Sequence, residues 1–223
     1  MKIFSSLAIK AAYLELVPKF EAAGKTRVST EWVGMADIRK RLQAGEAPDG
    51  IIGSAALVDE LAQGGALIAG SRFDLVKSGA GVAVKKGAPR PDISTAEKLY
   101  QALRKAKSIV YSSGPSGVYL AELFRKNGLA EELKDRLRQT PPGVLVGELV
   151  ARGEMEICFQ QMPELQQVAG IDIVGPLPAE IQTVTVFSGG VHAKATDAAG
   201  VKALFGFLRE NAAVMRKHGM ELA

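Results

Sequence analysis

Short apolar stretches alternate with amphipathic ones from the first residues onward, and this alternation restricts the chain more than any other feature. "KIFSS" reads as a strand ending in small polar residues, and "LAIKAAYLELVPKFEAAG" follows with apolar residues at helical spacing, closed by Gly24. "RVSTEWV" alternates as a strand, "MADIRKRLQAGE" has helical spacing, "DGIIGS" is a short buried strand and "AALVDELAQGGAL" a further helix. Repeated strand and helix segments of this kind specify a parallel sheet covered by helices, the α/β class.

The pattern changes at "DLVKSGAGVAVKKGAPRPDIS", which reads as two β-rich pieces and a turn with no helix between them, a crossover. Alternation then resumes: "AEKLYQALRKA" as helix, "KSIVYSS" as strand, "GVYLAELFRKNGL" and "VGELVARGE" as helices, and "MEICFQQ" as strand. "IQTVTVFSGGVHA" is a second β crossover, and "DAAGVKALFGFLRENAAVMRKHG" a helical pair ending at Gly219. The expectation is two α/β lobes, residues 1–79 with 188–223 and residues 80–187, joined by two crossovers with a ligand cleft between them.

Bulk properties narrow the function. A chain of 223 residues, 47% of them hydrophobic, has enough apolar material for two small lobes. Its 28 Lys and Arg are scattered among 24 Asp and Glu, with no basic block and no aromatic strip, so nucleic acid is not an expected partner. No apolar run approaches a membrane span, and "MKIFSSLAIK" is too short in its apolar part for a signal-peptide core, so the expected setting is the cytoplasm, or the periplasm if a leader has been removed. Cys158 is the only cysteine and its neighbours read as a buried strand. With two separated histidines beside it, no metal spacing appears, and no cofactor is expected. His218 reads as a cation near a helix C-terminus and His192 as a residue facing the hinge or solvent.

The chemistry concentrates in "YSSGPSGVY". Small residues here link the carboxyl end of a strand to the first turn of a helix, where open α/β sheets bind ligands. Gly114 and Gly117 permit close backbone approach, Pro115 restrains the chain, and Ser112, Ser113 and Ser116 bring hydroxyls beside unpaired amides. An anion is stabilised by those amides and by the helix dipole. Ser5 and Ser6 precede the first helix, and Gly34 precedes the helix beginning at Met35, so three such starts point to a small anionic ligand. Neither GxGxxG nor a Walker-type loop follows a strand, which argues against dinucleotides and triphosphates.

"FSSLAIKAAYLELVPKFEAAG", "LQAGEAPDGIIGSAALVDELAQGGAL", "PSGVYLAELFRKNGL" and "ARGEMEICFQQMPEL" resemble successive blocks of molybdate-binding-like periplasmic solute-binding proteins over nearly the whole chain. The resemblance implies the periplasmic-binding-protein type II fold, with an oxyanion held by serine hydroxyls and backbone amides. By position, the family's first ligand serine falls on Ser6, and its second falls at Gly34, Met35 and Ala36, where no hydroxyl remains. The backbone-binding residue falls on Ser116, and the ligand tyrosine falls at or beside Gln161. The amides of Gln160 and Gln161 both donate and accept, which suits a carboxylate better than a compact tetrahedral oxyanion.

The resemblance also implies, for a cytoplasmic branch, aconitate isomerase activity: allylic proton transfer that interconverts cis and trans tricarboxylates. The alternative is a molybdate or other oxyanion binder of the ABC-transporter type without turnover. A DNA-binding regulator is disfavoured because no extension for DNA is present. Isomerisation needs a base, a proton donor and groups that hold carboxylates. Lys10 and Tyr119 are the catalytic candidates, with Lys10 and Arg39 as carboxylate ligands; Glu31 and Tyr111 lie near the same positions in sequence, and the base stays unassigned.

Overall fold

The computed structural model describes residues 1–24 and 26–223. In chain order the elements are β1 (Lys2–Ser5), α1 (Lys10–Gly24), β2 (Ser29–Trp32), α2 (Met35–Gln43), β3 (Gly50–Ser54), α3 (Ala55–Gln63) and β4 (Phe73–Lys85). They continue as α4 (Ala96–Lys105), β5 (Ile109–Tyr111), α5 (Pro115–Lys126), α6 (Leu129–Glu132), β6 (Leu137–Gln139), α7 (Val146–Ala151), β7 (Ile157–Gln161) and α8 (Met162–Gln166). β8 (Ile171–Pro176), β9 (Val184–Val191), α9 (Ala198–Glu210), α10 (Ala212–Lys217) and β10 (Glu221–Leu222) complete the chain. It divides into two compact units, one of residues 1–78 and 185–223, the other of residues 79–184.

In the first unit, β1 lies between β2 and β3, parallel to both, and β3 pairs antiparallel with β9. β1 and β3 are buried on both faces, as the central strands of a sheet between helices require, while β2 is half-buried at the edge. Ile3 and Ile52 point into a cluster with Ile9, Tyr13 and Leu16 from the first helical segment and Leu204, Phe205 and Leu208 of α9. Their chain neighbours Phe4 and Ile51 point the other way, onto Ile38 of α2 and Leu57 and Val58 of α3. Gly189 of β9 is small for a packing reason, since a Cβ there would come within 2.5 Å of the Phe205 ring. Asp49 ties the sheet's lower edge to the segment before α9, accepting from the amides of Lys2 and Thr196, both at 2.7 Å.

In the second unit, β5 lies between β6 and β7, parallel to both, while β4 runs antiparallel to β7 on one side and β8 on the other. Ile109, Tyr111 and Phe159 pack with Leu120 and Phe124 of α5 on one face. Val110 and Cys158 face Val146 and Val150 of α7 and Leu165 of α8 on the other. Burial pushes the Cys158 thiol up to about 12, so it stays protonated and serves as a small apolar residue.

One expectation is corrected here: the β part of the stretch after Phe73 is a single thirteen-residue strand, Phe73–Lys85, followed by the turn at Lys86 and Gly87, and not two β pieces. Gly81, inside that strand, is small because α8 packs on it; a Cβ there would meet the Met162 sulfur at 2.3 Å.

Candidate functional site

In the first unit, the carboxyl ends of β1, β2 and β3 each run directly into a helical turn. Ser6 caps the 3-10 turn Leu7–Ile9, its hydroxyl accepting from the Ala8 amide at 3.3 Å, a long contact. Ser5 is fully buried, its hydroxyl 3.3 Å from the Ser6 carbonyl oxygen, to which it donates. Lys10 opens α1 and lays its ammonium 5.6 Å from the centre of the Trp32 ring at the end of β2, and Trp32 in turn meets Tyr13 edge to face.

Gly34 caps α2 without a side-chain bond, and the Met35 sulfur accepts from the hydroxyl of Ser54 at 3.3 Å. Ser54 caps α3 through the Leu57 amide. Sequence reasoning passed over Ser54 although it has the same strand, serine, helix signature as Ser6. The Arg39 guanidinium is committed to Glu60, with Nε at 2.7 Å and Nη2 at 2.6 Å from its carboxylate oxygens. Glu31 is paired with Lys2 and Arg41.

In the second unit, β5 ends at Tyr111, whose ring lies edge-on to Phe124 in the core. Ser112 and Ser113 follow, Gly114 is the N-cap of α5, and Pro115 takes the first helical position, where its missing N–H costs nothing. Ser116 and Gly117 complete the first turn, so their amides fall among the donors that a helix leaves unpaired. That turn carries no acidic residue to oppose an anion. Gly117 lies against the backbone, and a Cβ at that position would sit 1.6 Å from the Ser112 carbonyl oxygen.

Ser112 is 5% exposed and Ser116 fully buried, yet neither hydroxyl has a hydrogen-bond partner among the described residues. A third such hydroxyl belongs to Thr140, 3% exposed, one residue beyond β6. Leaving a buried hydroxyl unpaired costs about 1 to 3 kcal/mol, so three in this unit are a cost to stability that the described residues do not offset. Thr140 was not singled out from sequence, because a polar three-residue edge strand gives no periodic signal.

Gln160 and Gln161 end β7, both buried. The Gln160 amide is given over to the loop before α7, accepting from the Val146 amide at 2.9 Å and donating to the Val144 carbonyl at 3.2 Å. Gln161 is the N-cap of α8, and three residues on, Glu164 reaches back to its backbone, the carboxylate half of a capping box. Burial pushes the Glu164 carboxyl up to about 7, while that backbone bond and one from the Gln160 amide pull it down. Tyr119, on α5, donates its hydroxyl to the Ile181 carbonyl at 2.8 Å.

The two histidines are engaged elsewhere. His192 is buried beside Asp49 and Lys194, its Nδ1 accepting from the Lys194 amide at 3.1 Å, and burial holds its pKa below the usual value. His218 ends α10 against Glu15 at 3.1 Å.

A model of the bacterial extracellular solute-binding protein family matches residues 1–221. The chain belongs to that family. An aconitate isomerase of a Pseudomonas species is 36% identical over 214 residues, which cover 93% of this chain and 81% of the relative. Among solved structures, the periplasmic molybdate-binding protein of Azotobacter vinelandii superposes with a TM-score of 0.81 at 15% identity, over 100% of this chain and 99% of that one. The substrate-binding domain of a putative molybdenum ABC transporter from Clostridium difficile superposes with a TM-score of 0.73 at 16% identity, over 100% and 98%. The α/β fold of this family member is thus that of the periplasmic binding proteins, as the sequence resemblance implies. Among the described residues, no helix is long and apolar enough to cross a membrane.

Proposed function

We propose that the protein binds a small organic polycarboxylate and isomerises it by allylic proton transfer, interconverting cis- and trans-aconitate. The observation that carries anion binding is the pair of buried, unpartnered hydroxyls of Ser112 and Ser116 beside the first turn of α5. The reaction class is supported by the aconitate isomerase relative, at 36% identity over most of the chain.

The proposed chemistry balances within the substrate. A base removes a proton from the methylene carbon next to the double bond, and the allylic carbanion is stabilised by the carboxylates. A proton then returns at the other end of the allyl system, so the double bond shifts and the composition is unchanged. The work asked of the protein is to hold carboxylates and stabilise developing negative charge, which hydroxyls and amides do without a counter-cation.

The residues proposed for this are Ser112, Ser113, Ser116, Gly117, Gln160, Gln161 and Tyr119 in the second unit, and Ser5, Ser6, Lys10, Gly34, Met35 and Arg39 in the first. Their weights differ. Ser112 and Ser116 have hydrogen-bonding capacity that no described residue takes up, Lys10 is a half-buried residue with its ammonium near the Trp32 ring, and Gln160 and Arg39 already spend theirs within the protein. Tyr119 keeps an accepting lone pair while donating to Ile181. Glu164, titrating near neutrality, joins the groups to be replaced in a search for the base.

The test is direct. Purified protein is incubated with cis-aconitate and the trans isomer followed, with molybdate, sulfate, citrate and both aconitates compared for thermal stabilisation. A second reading, an oxyanion binder without turnover, is favoured by the likeness to the molybdate-binding protein, and stabilisation by molybdate with no conversion would select it.

A further inference from the structure

The hydroxyls of Ser112 and Ser116 belong to one loop, but that of Thr140 arrives from a different strand. β5 and β6 pair in parallel with Tyr111 opposite Gln139 as the last pair, which the Thr140 amide closes by donating to the Tyr111 carbonyl at 3.0 Å. Ser112 and Thr140 are thus each the first residue past the last pair, at the same end of two adjacent strands. The Gln139 side chain fixes the same junction by donating to the Ser112 carbonyl at 3.3 Å. The Ser112 hydroxyl lies against the first turn of α5, 3.2 Å from the place a Gly117 Cβ would occupy and 3.7 Å from that of Gly114.

Three buried hydroxyls without partners among the described residues are thus gathered from β5, β6 and α5 at the carboxyl ends of two parallel strands. The segment leading away from Thr140 is held at Val144 and Val146 by Gln160, and Gln160 in turn bonds Glu164. Such bracing restrains the segment that follows Thr140, and no described residue takes the Thr140 hydroxyl's hydrogen bond.

We propose that Thr140 is a specificity-determining residue, its hydroxyl donating to the same carboxylate that Ser112 and Ser116 hold. This rests on the polycarboxylate reading above. A carboxylate has two oxygens with about four lone-pair sites, enough for three hydroxyls and a first-turn amide together. Gln160 is a positioning residue for this donor.

The experiment compares T140V, which keeps the shape and removes the hydroxyl, with T140S, which keeps the hydroxyl. Melting temperatures are measured without ligand and with graded cis-aconitate, tricarballylate, sulfate and molybdate, and the steady-state constants for cis-aconitate are determined. Because the hydroxyl has no partner among the described residues, T140V should melt within about 2 °C of the wild type when unliganded. Its apparent Kd for cis-aconitate should rise about tenfold or more, the size expected for one hydrogen bond to a charged group, while T140S stays within about threefold.

Wild-type affinity in T140V overturns the proposal. So does a large fall in its unliganded melting temperature, since the hydroxyl would then have a structural partner. If no tricarboxylate stabilises the wild type but molybdate or sulfate does, the polycarboxylate reading fails by itself, and Thr140 as an anion donor stands only if T140V weakens that anion at least tenfold. If none of the four anions stabilises the wild type, both fall.

Discussion

The carbonyl oxygen of Ser112 lies 1.6 Å from the point where any side chain at Gly117 would begin, so the first turn of α5 rests directly on the backbone that leaves β5. The glycine is required by contact, since it sits inside a helix and not at a positive φ. G117A should therefore cost about 3 kcal/mol or more, or prevent folding, because backbone cannot yield as a side chain does. Urea unfolding measures this, and wild-type stability in G117A would contradict the close approach.

Ser112 and Ser116 should behave in the opposite way. Their hydroxyls are buried without partners among the described residues, so S112A and S116A remove a penalty and make no cavity larger than an oxygen atom. Each variant should melt at or slightly above the wild-type temperature and should lose most of the stabilisation given by cis-aconitate. A melting temperature several degrees lower in either variant would mean that the hydroxyl is satisfied within the protein.

Gln160 separates a structural role from a binding one. Q160M keeps the length of the side chain but strands the Val146 amide and the Val144 carbonyl, at a cost of about 2 to 4 kcal/mol. The loop they belong to begins at Thr140, so ligand affinity should fall together with stability. Reduced affinity at unchanged stability would instead make Gln160 a direct ligand.

Glu164 gives the protein a pH signature. Burial raises its carboxyl to about 7 in the folded protein, whereas an unfolded chain titrates near the ordinary value of 4.5. Between these values the folded state holds a proton that the unfolded state has lost, so this contribution to stability falls as pH rises through the window and levels off above it. The difference is on the order of 3 kcal/mol. E164Q keeps the capping interaction and does not titrate, so its stability relative to wild type should rise from pH 4.5 to about 7.5 and then stay constant. Parallel wild-type and E164Q stability curves from denaturant titrations at each pH would refute the assignment.

The elements that sequence reading recovered are those with a repeating pattern or a strong terminus. "IVYSSGPSG" is legible because a short apolar run, three serines and a proline at the first helical position can hardly be anything but a strand entering a helix. β4 is not legible as one strand because glycine weakens a strand pattern, whereas Gly81 makes room for Met162 and Leu165 of α8. β6 and β8 escaped notice for a related reason. "LRQ" is a polar edge strand of three residues, and "IDIVGP" is only half-buried.

The same limit applies to the site. Ser6, Ser112 and Ser116 follow strands and start helices, so their position shows in one dimension. Thr140 gains meaning only when β6 pairs with β5, and Glu164 only when the ends of β7 and α8 enclose it. The spacing from Gln161 to Glu164 in "QMPE" was an available hint, since a carboxylate three residues after a cap position commonly closes a helix start.

The most direct measurement is the time course of trans-aconitate formation from cis-aconitate, resolved by proton magnetic resonance, for the wild type and S116A at equal concentration. The account predicts steady conversion by the wild type and at least a tenfold slower rate in S116A at an undiminished melting temperature. Stabilisation of the wild type by aconitate with no trans isomer formed would contradict it and leave a binding protein without turnover.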